Sequence, residues 1–172
     1  MKEGIHVLEI AYKIQDLDFS ALMDVYIEEN QKIAAQDYPD GDANEALLQT
    51  ERGFYQYLNE CFFTVSGAIC AVWKAGGKTV SALRLEPYQD GWLLEALETA
   101  PEERQKGYAA ALVQALTAWC RECGRIPVYS HISKKNKASL RTHEKCSFIR
   151  ILEHAVEVDG SVYTSACTMK YG

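Results

Sequence analysis

The hexapeptide Arg104-Gln105-Lys106-Gly107-Tyr108-Ala109 follows an apolar, strand-like run and opens a strongly periodic helix. A helix start exposes backbone N–H groups that have no internal partner, and the helix dipole favours negative charge there. Gly107 carries no Cβ, so a diphosphate can approach the backbone. Ala109 keeps the next exposed N–H uncrowded, and Arg104 and Lys106 add positive charge. The segment therefore suits a phosphate cradle. An ordinary strand-to-helix turn with two solvated cations has the same composition.

The elements that would position this segment follow from periodicity. His6 to Ile14 reads as a first strand, and Phe19 to Ala34 and Ala43 to Leu58 as helices joined by the acidic loop Gln36 to Asp42. Ala68 to Trp73 and Thr79 to Leu85 are apolar and partly β-branched, and Gly76-Gly77 between them marks a hairpin. Trp92 to Thr99 is a further strand after the turn Glu86 to Gly91. In the helix from Gly107 to Cys123, the residues Tyr108, Leu112, Ala115, Leu116, Trp119, Cys120 and Cys123 share one face. Gly124 suits its stop. Pro127 to Ile132 reads as a strand, and strand–helix–strand order implies a crossover and a parallel pair. Asn136 to Lys145 is a short helix. Phe148 to Val158 and Val162 to Lys170 are expected to form a terminal hairpin around a type I′ turn at Asp159-Gly160.

Composition bounds the function classes. The 172 residues suit one domain, 48% hydrophobic and 24% charged, with net charge −6. That balance argues against a nonspecific nucleic-acid binder, which needs a basic face. No apolar run approaches the ~20 residues of a membrane span. Met1-Lys2-Glu3-Gly4 leads into an interrupted apolar stretch rather than a signal-peptide core, so a cytoplasmic protein is expected. The pair Cys120-Arg-Glu-Cys123 closes a helix instead of opening one and has no second pair at zinc spacing, so both sulfurs are assigned to core packing. Asp37-Tyr-Pro-Asp-Gly-Asp-Ala-Asn44 resembles a calcium loop but places Tyr38 where a ligand is required, which leaves a turn-rich surface loop. No metal site is expected. Gly107-Tyr-Ala lacks the further glycines of a dinucleotide fingerprint. Lys134-Lys135-Asn136-Lys137 is too short for a nucleic-acid arm but precedes a helix and can serve a phosphate.

The cradle, set between an antiparallel meander and a crossover helix, resembles the GNAT N-acetyltransferase superfamily. That family's motif Gln/Arg-x-x-Gly-x-Gly/Ala is filled at each fixed position by Arg104, Gly107 and Ala109. Its second motif is matched at Asn136, Ser139 and Phe148, with His143 where tyrosine is usual and Ser147 where glycine is usual. The resemblance spans roughly residues 68–170, with residues 15–60 a helical, substrate-variable region of the same single domain. It implies a mixed α/β (α+β) fold: a mostly antiparallel twisted sheet with a splayed parallel strand pair and helices on both faces. It further implies an acetyl-CoA-dependent N-acetyltransferase acting on a primary amine of a small molecule or peptide. The pantetheine arm would pair with the backbone of Leu97, Glu98 and Thr99. The diphosphate would meet Arg104, Gln105, Lys106, Gly107, Tyr108 and Ala109. Asn136, Ser139 and His143 would contact the cofactor. The alternative is a non-catalytic acyl-CoA sensor of the same fold.

The implied chemistry is direct amine attack through a tetrahedral intermediate. An amine with a pKa of ~10.4 must first lose a proton. Glu95 is the first choice of base, on a face shared with Leu93, Leu97 and Thr99; Glu98, facing the other way, is the second. A backbone N–H near Leu97 or Glu98 would hold the oxyanion. His143 would protonate the leaving thiolate, with Tyr129 and Tyr108 as fallback hydroxyls. His6, His131 and His154 are expected to be ordinary strand residues. The terminal hairpin offers an edge for homodimer formation.

Overall fold

Gly76-Gly77 supplies the left-handed backbone that a two-residue turn needs, and it joins β2 (Ile69–Ala75) to β3 (Lys78–Tyr88) with Ala75 opposite Lys78. The computed structural model describes residues 4–172, so the opening Met1-Lys2-Glu3, part of the leader argument above, lies outside the described residues. Around that hairpin, β1 (His6–Ala11) pairs antiparallel with β2, and β4 (Gly91–Thr99) pairs antiparallel with β3. Next come β5 (Val128–Ser133), parallel to β4; β9 (Ala166–Tyr171), antiparallel to β5; and β6 (Ile149–Leu152) at the far edge. The sheet order is β1-β2-β3-β4-β5-β9-β6, with β4–β5 its parallel pair. A separate ribbon joins β7 (Ala155–Val156) and β8 (Val162–Tyr163).

Helices cover both faces. On one side lie α1 (Phe19–Val25), α2 (Ile27–Asp37) and α3 (Ala43–Glu60); Asp18 and Asp42 cap α1 and α3 by accepting backbone N–H bonds. Leu22, Leu58 and Phe62 bury themselves there against Ala82. On the other side α4 (Tyr108–Glu122) lays its apolar stripe, led by Leu112, Leu116 and Cys120, over Leu83, Leu85 and Leu94, and α5 (Lys137–Lys145) adds Leu140. Each such leucine removed from water contributes roughly 1.5–3 kcal/mol. Among the described residues no helix is long and apolar enough to cross a membrane, and no cluster of His, Cys, Asp and Glu could hold a metal ion.

Several elements depart from the sequence pattern. The first strand stops at Ala11, and the helix expected over 19–34 breaks at Tyr26, where φ −93° and ψ 11° leave the helical region. The buried Tyr26 donates its hydroxyl to the Ala96 carbonyl at 2.7 Å, a reach of 70 residues that periodicity cannot encode. The terminal hairpin is not continuous: β6 pairs with β9, and the chain between them leaves the sheet as the β7–β8 ribbon. Its turn is closed by the Gly160 N–H donating to Glu157, with Gly160 alone at positive φ, so it is not the expected type I′ turn. Cys120 is buried as expected, but Cys123 lies exposed at the α4 C-cap.

Candidate functional site

β4 and β5 pair over only three positions, Trp92–Val128, Leu93–Tyr129 and Leu94–Ser130. The pair starts where the Trp92 N–H donates to the Pro127 carbonyl at 3.0 Å. The strands can approach there because Gly91 has no side chain: a Cβ on it would stand 2.2 Å from the Pro127 oxygen. Beyond Leu94 the ladder ends, while β4 runs on to Thr99 and β5 runs on to Ser133 against β9. A gap in the sheet opens there, with unpaired β4 backbone on its rim.

A bulge shapes that rim. Ala96 has φ +52°, and Ala82 and Arg84 of β3 face Glu98 and Glu95, so two residues of β4 oppose Leu83 alone. The alternation expected for β4 is therefore corrected. Glu95 and Glu98 face the α1–α3 side together, whereas Leu97 packs with the α4 core and Thr99 pairs with Ser81, their hydroxyls 3.1 Å apart. The Glu98 carbonyl accepts from the Ser81 hydroxyl at 2.6 Å, and the Thr99 carbonyl from Arg104 Nε at 3.3 Å. Burial raises the Glu98 pKa above the usual carboxylate range, and Arg104 opposes the shift.

Past Thr99, a short 3-10 turn at Pro101–Glu103 leads into the cradle. Gln105 (φ +62°) and Gly107 (φ +83°) are both left-handed. The Arg104 N–H donates to the Pro101 carbonyl, and the next backbone bond is the Ala111 N–H to Gly107. The N–H groups of residues 105–110 have no acceptor among the described residues, so a helix start here carries a row of free donors, a geometry that suits an anion. A Cβ on Gly107 would meet nothing within 4 Å, so the space above it is open. The two cations of the motif are engaged elsewhere: Arg104 with Glu28 at 2.7 Å, Lys106 with Glu103 at 2.7 Å. Tyr108 packs edge-on against His6 of β1, ring centroids 5.9 Å apart.

The second motif lies alongside. Asn136 Oδ1 accepts the Ser139 N–H at 3.0 Å and caps α5, and the Cys146 thiol donates to the Ala110 carbonyl, tying the end of α5 to the first turn of α4. His143 is 1% exposed, stacks edge-on against Phe148, and its Nδ1 lies 2.9 Å from the Ser139 carbonyl. A carbonyl only accepts, so Nδ1 carries the hydrogen and the buried Nε2 holds a lone pair with no donor among the described residues. Burial lowers the His143 pKa against the Ser139 contact, which works against the imidazolium needed for proton donation. Ser147 has φ +68°, the conformation that explains why glycine is usual there.

The α1–α3 face of the gap is built from charge and aromatic rings. Glu95, its side chain 29% exposed, binds Arg84 Nε through Oε1 at 3.0 Å, and the rings of Phe54, Tyr57 and Phe62 surround that guanidinium at 5.5–5.6 Å. Burial, then Glu95, raise the pKa of Glu86. Tyr129 donates to Asp90 at 2.7 Å; that bond, with burial, pushes its hydroxyl up to about 12. Of the fallback hydroxyls, that of Tyr129 is thus committed to Asp90, and the Tyr108 ring packs on β1. Tyr88 donates to the Val156 carbonyl at 2.5 Å and holds the β7–β8 ribbon over this face. A cavity of about 870 Å³ opens between them, lined by Tyr57, Glu86, His131, Glu157, Asp159 and Tyr163 among others.

The acetyltransferase (GNAT) family profile matches residues 21–148. No curated protein matches the sequence. Among solved structures, the PaiA N-acetyltransferase of Thermoplasma acidophilum in complex with coenzyme A superposes with TM-score 0.60 at 17% identity, covering 96% of this chain and 99% of that one. The ribosomal-protein-S18-alanine N-acetyltransferase of Escherichia coli gives TM-score 0.62 at 14% identity over 96% and 92%. A spermidine N-acetyltransferase from Vibrio cholerae in complex with CoA and spermine gives 0.60 at 18% over 96% and 94%. At these identities the likeness is one of fold.

Proposed function

The chain belongs to the acetyltransferase (GNAT) family, and on that premise we propose that it transfers acetyl from acetyl-CoA to a primary amine by direct attack. The observation that carries the reading is the divergence of β4 from β5 after three pairs, beside a loop of six unsatisfied backbone N–H groups. The pantetheine arm pairs with β4 after the bulge, at Leu97 to Thr99, as an added strand. The diphosphate takes the N–H groups of Gln105 to Ala109, where the open space above Gly107 fits it. Arg104 and Lys106, already paired with Glu28 and Glu103, shape the loop more than they supply free charge.

The acceptor amine approaches from the α1–α3 face. Glu95 lies on that face with one oxygen held by Arg84, so its charge is shared before any substrate arrives. His143, neutral with its Nδ1–H given to the Ser139 carbonyl, keeps a lone pair at buried Nε2 that has no donor among the described residues; it does not supply the thiolate's proton in that form. The six free cysteines suit a reducing compartment, and we place the reaction in the cytoplasm. A second copy would add at the outer edge of β6, where Ile149, Ile151 and Leu152 are exposed.

The test is a calorimetric titration with acetyl-CoA followed by thiol release with an amine panel. Binding with amine-dependent thiol release is expected. Absence of binding overturns the reading, and binding without release to any amine leaves a sensor.

A further inference from the structure

Within the acetyl-transfer reading, on which this inference rests, the geometry points to His131 as the proton acceptor for a cationic amine held in the acidic cavity under the β7–β8 ribbon. His131 is the β5 residue next after Ser130, the last to pair with β4, so it stands where the gap opens. Its side chain is 9% exposed, and neither ring nitrogen has a hydrogen-bond partner among the described residues. A buried polar ring without a partner is costly and calls for an explanation. This ring lines the 870 Å³ cavity. Of the lining residues, Glu86, Glu157 and Asp159 are carboxylates, and none is lysine or arginine. Such walls favour an acceptor carrying positive charge, a polyamine or the amino terminus of a peptide.

Four elements place titratable groups around the ring. Glu157 of the ribbon lies 3.5 Å from Nδ1; Tyr88 and Glu86 come from β3, Glu95 and Tyr57 from β4 and α3, and Asp159 from the ribbon turn. Burial lowers the His131 pKa and Glu157 and Glu95 oppose it, so the ring is held in the neutral form, the one that can accept a proton. Glu157 faces Nδ1 at 3.5 Å without hydrogen-bond geometry, which favours the tautomer with hydrogen on Nδ1 and the lone pair on the covered Nε2. The bound ammonium gives one proton to Nε2. The freed nitrogen pair forms the N–C bond at the acetyl carbon, and the C–S bond breaks with its electrons remaining on sulfur. The second N–H proton goes to that sulfur as thiol, and the proton on His131 leaves through the open cavity to solvent.

The test uses the whole chain with saturating acetyl-CoA and three probes: spermidine, an alanine-leading peptide and a neutral-bodied monoamine. His131→Gln and His131→Phe, the latter keeping a ring beside Tyr88, should each lower thiol release about 100-fold or more near neutrality. Calorimetric affinity for acetyl-CoA should stay within twofold, which reports the fold. The wild-type rate should rise with pH through the His131 titration and level off. The variants should instead climb steadily toward the pKa of the amine. Glu157→Gln should move the wild-type limb to lower pH, because the carboxylate that favours the charged ring is gone. Variants with the wild-type rate and profile overturn the role of His131 alone. A wild-type protein that binds acetyl-CoA yet releases no thiol with any probe overturns the transfer reading, and this role with it.

Discussion

The two sides of the sheet gap are made from different materials. On the α4 side stand main-chain N–H groups of residues 105–110 without acceptors, β4 backbone without a β5 partner and a glycine with empty space above it, to which the proposed reading gives the cofactor. On the α1–α3 side, the work falls to side chains gathered from five distant segments: Tyr57, Arg84 with Glu86, Glu95, His131, and Glu157. Backbone donors cannot be substituted away one by one, so a short motif suffices to mark them. Side-chain clusters can be rebuilt residue by residue, so on the proposed reading the acceptor half is free to differ while the cofactor half keeps its short motif.

Perturbing each half separately should expose that difference. Gly107→Glu puts a carboxylate and a strained φ of +83° into the backbone half, and should weaken acetyl-CoA more than about 100-fold by clash and repulsion. Calorimetry showing native affinity would undo the contrast. Tyr26→Phe acts on the join between the halves. It removes the hydroxyl donated to Ala96, leaves a bulge carbonyl without that donor, and should cost about 1 kcal/mol in a denaturant titration. An unchanged midpoint would mean that the bulge holds itself. The smallest effect concerns His143. Its folded pKa is depressed by burial, so its stabilising contribution is present above the unfolded value of ~6.5 and is lost as pH falls below it. His143→Phe should therefore flatten the loss of thermal stability between neutral and mildly acidic pH. The His131 ring, also depressed, retains the remainder. Identical pH slopes would place the sensitivity elsewhere.

The same contrast explains what could be read from the chain. The β2–β3 hairpin, the parallel pair and α4 follow from local patterns that the structure reproduces. Glycine marks the turn at 76–77 and the start of α4, and apolar spacing marks the helix itself. The face of Glu98 was not legible. Ala96 and Gln105 take positive φ without being glycine, so neither the bulge nor the first half of the donor row leaves a residue-type signal. His131 looked like one more strand histidine, because its neighbours Glu157 and Tyr88 lie 26 and 43 positions away in sequence. The alternation Tyr129, His131, Ser133 against a broken parallel pair was the one available hint, and it has meaning only once the break is known.

The β7–β8 ribbon has a further consequence. It is fastened to the sheet by side chains and by its ends: Tyr88 donates to the Val156 carbonyl, Thr168 of β9 to the His154 carbonyl, and the Lys134 N–H to the Ser165 carbonyl. The thirteen positions 153–165 thus lie between β6 and β9 and outside the seven-stranded sheet. On the proposed reading, a change of acceptor can begin with this flap, which carries Glu157 and Asp159, while Tyr57, Glu86 and His131 stay in place.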